Sequence, residues 1–444
     1  MNKRKTVLLL LFVIIILIIS NLGGVFFKSS PYLPNPEDID GSELANIPPV
    51  DEAIKVVQER IEQNPNDAVS YTLLGDLYIR QARETGDVSN YQRAETALNE
   101  ALELLPGYSP AGSLLASAYY AQHKFHKALS LAENVYESNR KNSSARIIVA
   151  DSYLSLGEYD KAERIYREIG ETNTTASLLA RLANLEELRG NSDEALTLIE
   201  RAAGDALNSG GTKESIAWYL LRVGDIHFNR GELKESGSFY EAALRVFDNY
   251  HLALAGLGKV RAAQGKYDQA IDYYQQAISI LPQPDFLAEL GDIYTLTGQT
   301  SEAKIQYNTV EYIGKLAEIN QQIYNRQLAN FYSNHDMQLE EALKLALSEL
   351  EIRKDIDGYD AAAWAQYKNN HFEEAQKLMN QAMALGTRDA LLYYHAGMIA
   401  QALGNNQQAR NFLQEALSIN PYFSILDSDK AKQTLNDLQA QAGE

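Results

Sequence analysis

Between Pro110 and Pro282 the chain contains no proline, and apolar residues return there every three or four positions almost without a break. The stretch LAGLGKVRAAQGKYDQAIDYYQQAISILP, residues 254–282, shows the unit. Leu254, Leu257, Val260 and Arg261 follow the three–four spacing that gives a helix one buried stripe. Gly265 supplies a residue that enters the left-handed region at no steric cost and so ends that helix. Tyr267, Ala270, Ile271, Tyr274, Ala277 and Ile278 form the stripe of a second helix, which Pro282 stops. Gly258 and Ala270, twelve residues apart, are expected to meet where the two antiparallel helices cross, because small side chains let the backbones approach.

The same small–x11–small pair recurs as Ala116/Ala128, Ala150/Ala162, Ala183/Ala195, Gly224/Ser236, Gly291/Ala303, Ala363/Ala375 and Gly397/Ala409. Gly75/Ala94 carries a seven-residue insertion and Ala329/Ala342 one extra residue. Successive first anchors lie mostly 33 or 34 residues apart, and a turn glycine returns at Gly157, Gly190, Gly231, Gly265, Gly298 and Gly404. Spacing, turn glycine, aromatic and closing proline together resemble the tetratricopeptide repeat (TPR) family, whose unit is a helix–turn–helix of about 34 residues. The resemblance covers residues 51–422 and is weakest at 177–206, where Glu186 replaces the usual aromatic.

The expected fold is all-α: a right-handed α-solenoid of about ten helix–turn–helix repeats, preceded by a single transmembrane helix. Residues 51–65 read as the second helix of a partial repeat, with Ala53, Val57 and Pro65 in register. The solenoid is bounded at 51–426, and 427–444 reads as a polar-faced capping helix for which Ser428 is a candidate N-cap. Each hairpin can bury its face only against the next one, so the array grows into a superhelix with a long concave surface.

Residues 1–6 form a basic stub with Lys3, Arg4 and Lys5, followed by a solid apolar run from Val7 to Ile19 and weaker apolar sequence to Phe27. The 21 residues of 7–27 suit a bilayer span, which takes roughly 20. No small-residue cleavage site follows the run, so it reads as an uncleaved signal-anchor, with a cleaved signal peptide the alternative. The basic residues before it keep the N-terminus cytoplasmic and put the rest outside the cytoplasm, in the plasma or inner membrane. Residues 28–50 hold five of the eleven prolines and read as an extended tether.

The net charge is −19, and beyond the four bases of residues 1–28 there are 36 basic against 59 acidic residues, a surface that repels phosphate backbones and argues against a nucleic-acid partner. Cysteine is absent, which removes disulfides and thiolate metal sites. No P-loop, GxSxG, HExxH or CxxC pair occurs, and His123 and His126 in AQHKFHKA read as part of an inter-helix turn. The acidic pairs Glu340/Glu341 and Glu373/Glu374 read as stabilisers of helix starts. The chain is therefore expected to be a binding protein, neither an enzyme nor a holder of a metal or cofactor.

In the TPR family, first-helix residues line the groove, and the position after the first small anchor is one of them. Here it holds Asp76, Asp151, Asp225 and Asp292 in four of ten repeats. The resemblance thus implies a groove for basic or polar extended peptides, the competing reading being solvated surface. In the last three repeats Arg326, Asn330, Trp364, Tyr367 and Tyr394 are expected to be exposed or half-exposed, a second and more aromatic binding area. Core packing is the competing role for Trp364, and Trp218 is open to either role. The expected function is a membrane-anchored, extracytoplasmic scaffold for protein–protein interaction in envelope assembly or secretion. A chaperone-like binder of exported chains and a cell-wall polymer binder are the alternatives.

Overall fold

The computed structural model describes residues 30–42, 48–172, 174–319 and 325–443. Among them are 22 α-helices. A single helix, α1 (Val50–Gln63), precedes ten antiparallel hairpins. These are α2 (Ala68–Thr85) with α3 (Ser89–Leu104), α4 (Ser109–Ala121) with α5 (Phe125–Ser138), and α6 (Ser143–Ser155) with α7 (Tyr159–Gly170). Next come α8 (Ala176–Leu188) with α9 (Ser192–Asn208), α10 (Lys213–Asn229) with α11 (Leu233–Val246), and α12 (His251–Ala263) with α13 (Tyr267–Ile280). The series continues with α14 (Pro284–Leu296) and α15 (Thr300–Ile319), α16 (Asn325–Asn334) and α17 (Leu339–Ile352), and α18 (Ile356–Lys368) and α19 (Phe372–Ala382). The hairpin of α20 (Ala390–Ala402) and α21 (Asn406–Ile419) is closed by α22 (Asp427–Ala442).

The hairpin turns explain the recurring glycine. All six expected turn glycines adopt positive φ, from +71° at Gly265 to +80° at Gly157. Where the glycine is missing, His123 (φ 57°) and Asn370 (φ 63°) take the same conformation.

The helix crossings differ from expectation in what fills them. The first-helix glycine opens space for a ring one turn beyond the second small anchor. A Cβ at Gly258 would stand 2.7 Å from the Tyr274 ring, and one at Gly224 would stand 2.6 Å from Tyr240. Tyr240 and Tyr274 are fully buried.

Successive turns of the superhelix touch. The backbone N–H of Ile356 donates to the Tyr159 hydroxyl at 2.8 Å, across 197 residues. The Thr387 hydroxyl donates to the carbonyl of Leu188, and the Asn420 amide to that of Phe228 at 2.8 Å, across 199 and 192 residues. Each contact joins the turn of one hairpin to the loop five and a half hairpins further on. An earlier step of the same staircase brings the Leu281 side chain against Gly86, and the loop before Ile356 also reaches one hairpin further back, with Arg353 over the Phe125 ring at 5.3 Å. The solenoid therefore completes a turn in about 195 residues and stacks on itself along a seam.

Residues 30–42, expected to be part of an extended tether, instead lie on the outer helices. Leu33 and Ile39 are buried in the same core cluster as residues of α9 and α11. The Arg245 guanidinium donates to the carbonyls of Pro36 at 2.5 Å and Ile39 at 3.1 Å. The expected span at 7–27 lies outside the described residues. Among the described residues no helix is long and apolar enough to cross a membrane.

The capping helix α22 is present, but Ser428 is not its N-cap. Ser428 sits buried inside the first turn, where its hydroxyl accepts the Ser424 N–H at 3.1 Å. Ser424 performs the capping role instead, its hydroxyl accepting the Asp427 N–H at 3.0 Å.

Candidate functional site

A half-open chamber of about 750 Å³ lies between two stacked turns. Its walls come chiefly from first helices, α8 and α10 on one side and α16, α18 and α20 on the other, with hairpin turns and loops at the rim. Glu187, Arg222 and Asn229 face Arg326, Asn330 and Asp360 across it. The two sides are 96 residues or more apart in the chain, and stacking of the turns brings them to one site.

Six carboxylates and four guanidiniums line the chamber, and most of them pair within the wall. Arg222 bridges Glu187 and Asp225, at 2.9 Å to each. Burial raises the Glu187 carboxyl above its usual range, and the neighbouring Arg222 works against that rise. Arg326 pairs with Asp355 at 3.4 Å and Asp357 at 3.5 Å. Asp360 accepts from the His395 ring at 2.8 Å, with that ring stacked on Trp364 at a centroid distance of 4.0 Å. Asn184 and Asn330 share the register just after the first small anchor of their hairpins. Neither side chain has a hydrogen-bond partner among the described residues, so both offer amides to the chamber.

The expected acidic groove is corrected in most of its members. Asp151 is buried, accepting from the Tyr166 hydroxyl at 2.6 Å and from two Arg181 nitrogens at 2.7 Å. Asp225 accepts from the Tyr240 hydroxyl at 2.8 Å in addition to Arg222. Asp292 accepts from the Tyr307 hydroxyl at 2.8 Å and from the His335 ring at 2.7 Å. Burial opposes protonation of His335, yet the hydrogen bond and charge of Asp292 outweigh it and raise the imidazole pKa. Of the four aspartates only Asp76 is exposed and unpaired among the described residues. The physical reason is a recurrent pair: the tyrosine fifteen residues on, whose ring fills the helix crossing, reaches the aspartate with its hydroxyl. That Asp–x14–Tyr spacing stands in the sequence at 151/166, 225/240 and 292/307.

The aromatic area is corrected too. Trp364 is 1% exposed, donates its indole N–H to Asn334 at 2.8 Å and stacks on Tyr367 at 4.7 Å. Tyr394 is fully buried and donates to Asp427 at 3.0 Å, tying the last hairpin to the capping helix. Tyr367 is half-buried in the same stack. Arg326 and Asn330 do line the chamber, whereas Trp218 is exposed on α10.

Comparisons with known proteins agree with this architecture. Tetratricopeptide repeat models match this chain at residues 215–283 and 390–423. A model of the anaphase-promoting complex, cyclosome, subunit 3 matches residues 87–169. A TPR repeat-containing protein of Methanocaldococcus jannaschii is 23% identical over 61% of this chain and 43% of its own length. The TPR repeat-containing protein YpiA of Bacillus subtilis is 20% identical over 78% of this chain and 71% of its own. A human protein O-mannosyl-transferase is 24% identical over 48% of this chain, but the match covers only 24% of that protein. The chain thus spans less than half of the archaeal relative and about a quarter of the human one. Among solved structures, yeast Tom70 covers 88% of this chain and is itself covered over 93%, at 15% identity and a TM-score of 0.37. A tetratricopeptide repeat protein from Parabacteroides merdae covers 60% of this chain and is covered over 98%, at 16% identity and a TM-score of 0.35.

Proposed function

We propose that this chain is a scaffold that binds an extended polypeptide segment of a partner protein in the chamber, and that it works outside the cytoplasm on a membrane anchor formed by residues 7–27. The observation that carries the reading is the chamber itself: about 750 Å³, walled chiefly by first helices of two superhelical turns, with most of its charges paired and two asparagine amides left to offer. Side-chain amides both donate and accept, which suits the peptide groups of an extended chain. The excess of carboxylates over guanidiniums in the chamber lining leaves a preference for a segment that carries basic side chains. The anchor rests on the apolar run and the three bases before it. The chain acts by binding rather than catalysis; the name of the human relative describes that protein, of which this chain matches a quarter.

The test is a photo-crosslinking amino acid placed at Asn330, inside the chamber, and at Asn308, on the outer face of α15, in the full chain in its own membrane. One discrete protein crosslinked from position 330 and not from 308 supports the scaffold. A broad set of exported chains transfers the reading to a chaperone, and polymer-bound product to a wall binder. No adduct at 330 overturns it. The absence of native cysteine makes topology a clean measurement, because a single cysteine at position 308 reacts with a membrane-impermeant reagent only if the solenoid is extracytoplasmic.

A further inference from the structure

The segment 30–42 sits on the solenoid as a bound peptide would. Leu33 and Ile39 insert into the core cluster beneath α9 and α11, 6% and 3% exposed. Arg245 clamps two of the main-chain carbonyls between and beside them, at 2.5 and 3.1 Å. Two glycines permit the close approach. A Cβ at Gly204 of α9 would collide with the Tyr32 carbonyl, and a Cβ at Gly41 would stand 3.0 Å from the Val246 carbonyl of α11. Prolines 34 and 36 fix the backbone around a single 3-10 turn at Pro36–Asp38, so the segment has less freedom to lose on docking.

We propose that the outer groove across α9 and α11 is a docking site for the chain's own residues 32–41, and that through it the solenoid is mounted on the bilayer with this face toward the lipid. The orientation rests on the membrane-anchor reading above; the docking does not. Only residues 28–32 separate Phe27, the end of the expected span, from buried Leu33. Six steps of extended chain reach roughly 20 Å. The 23 residues of 28–50 therefore do not act as one long tether. They hold one face of the superhelix close to the membrane. The middle of α15 lies about 90 residues beyond the middle of the α9–α11 pair, close to half of the 192–199-residue superhelical turn. It is thus turned away from the bilayer, further out by about 50 Å if the tube is four helix layers and a groove across.

The experiment uses the full chain in phospholipid vesicles with single cysteines, which its cysteine-free sequence permits. A donor fluorophore is attached at Thr197→Cys on α9 or at Asn308→Cys on α15, both exposed positions, with acceptor headgroups in the lipid. Strong transfer at 197 and weak transfer at 308 is expected, with the difference lost when Ile39→Asp is added to eject the segment. Equal transfer at both positions in the unmodified background overturns the mounted orientation. Docking is read separately by alkylation of Leu33→Cys, expected to be slow in the folded chain and accelerated by Arg245→Ala; alkylation as fast as in the urea-unfolded chain overturns the docking. A chain that fails to stay with the vesicles overturns the anchor and the orientation with it, and slow alkylation in that same sample assigns the failure to the anchor rather than the groove.

Discussion

The side-chain amide of Asn420 donates to the main-chain carbonyl of Phe228, 2.8 Å away and 192 residues earlier in the chain. Asn420 is 2% exposed, and the same side chain accepts the Tyr422 N–H at 2.8 Å. It joins the end of one superhelical turn to the end of helix α10 in the turn before. Asn420→Ala leaves a buried carbonyl without this partner, at a cost of about 1–3 kcal/mol. Denaturant unfolding of the variant is expected to show that loss, together with faster hydrogen exchange at both Phe228 and Tyr422. A loss confined to the C-terminal hairpin would show that the seam carries no stability.

The turn glycines separate local strain from seam packing. Gly265 and Gly157 have similar φ, +71° and +80°. Nothing lies within 4 Å of where a Cβ would stand at Gly265, while at Gly157 it would collide with the carbonyl of Lys354. Gly265→Ala should therefore cost only the left-handed penalty, about 1–2 kcal/mol. Gly157→Ala should cost more than this and also open the seam, seen as an increase in radius of gyration by small-angle scattering. Equal costs and unchanged scattering would remove the seam from the account.

Asp151 and Asp76 occupy the same position in different repeats and should behave in opposite ways. Asp151 is held by Tyr166 and by Arg181, whose side chain is 32% exposed against 9% for the aspartate. Asp151→Ala strands the arginine in a site that has excluded most water, for which breaking such a pair costs about 3–5 kcal/mol, less the part that solvent at Arg181 screens. Asp76→Ala, at an exposed position, should stay within about 0.5 kcal/mol of the parent. Thermal unfolding of the two variants side by side checks the contrast, and similar midpoints would restore the open acidic groove.

Hairpins were legible because their signals are local. Three–four periodicity, a left-handed glycine and a closing proline all act within one 34-residue unit, so the residue range and the helix pairing could be read directly. The seam was not legible, since a contact across 192–199 residues follows from the small rotation between neighbouring hairpins, which no single residue displays. Trp364 and Tyr394 stand at groove positions, where solvent was expected; the next hairpin, through His395, and the capping helix cover them instead. The aspartates were misread for a different reason. In the repeat read in detail Tyr274 entered the helix stripe as an apolar ring, and the hydroxyl that the equivalent Tyr166, Tyr240 and Tyr307 bring to the aspartates was left out of account.

His123 makes the seam sensitive to acid. It occupies a hairpin turn at φ 57°, its ring stacked on Phe125 at 5.5 Å beneath the seam residue Arg353. Burial first, and then the positive charges of Arg353 and Arg326, push its pKa down to about 4. In the unfolded chain the ring titrates near 6.5. Between those values the unfolded chain binds a proton that the folded chain refuses, so stability falls as the pH drops from about 6.5 towards 4. His251, pushed to about 4 by burial, adds a second contribution of the same sign. His335 acts oppositely: its raised pKa gives stability that is full below the unfolded value and lost as the pH rises through the folded one. Asparagine tolerates the left-handed turn and carries no charge. His123→Asn is therefore expected to remove about 1–2 kcal/mol of the loss between pH 7 and pH 5, read as a smaller drop in thermal midpoint than the parent shows over that interval. Comparing the two pH values within each protein cancels the lost stacking on Phe125. Identical drops in parent and variant would show that His123 is already protonated in the folded chain at pH 5, and that the seam does not exclude the proton.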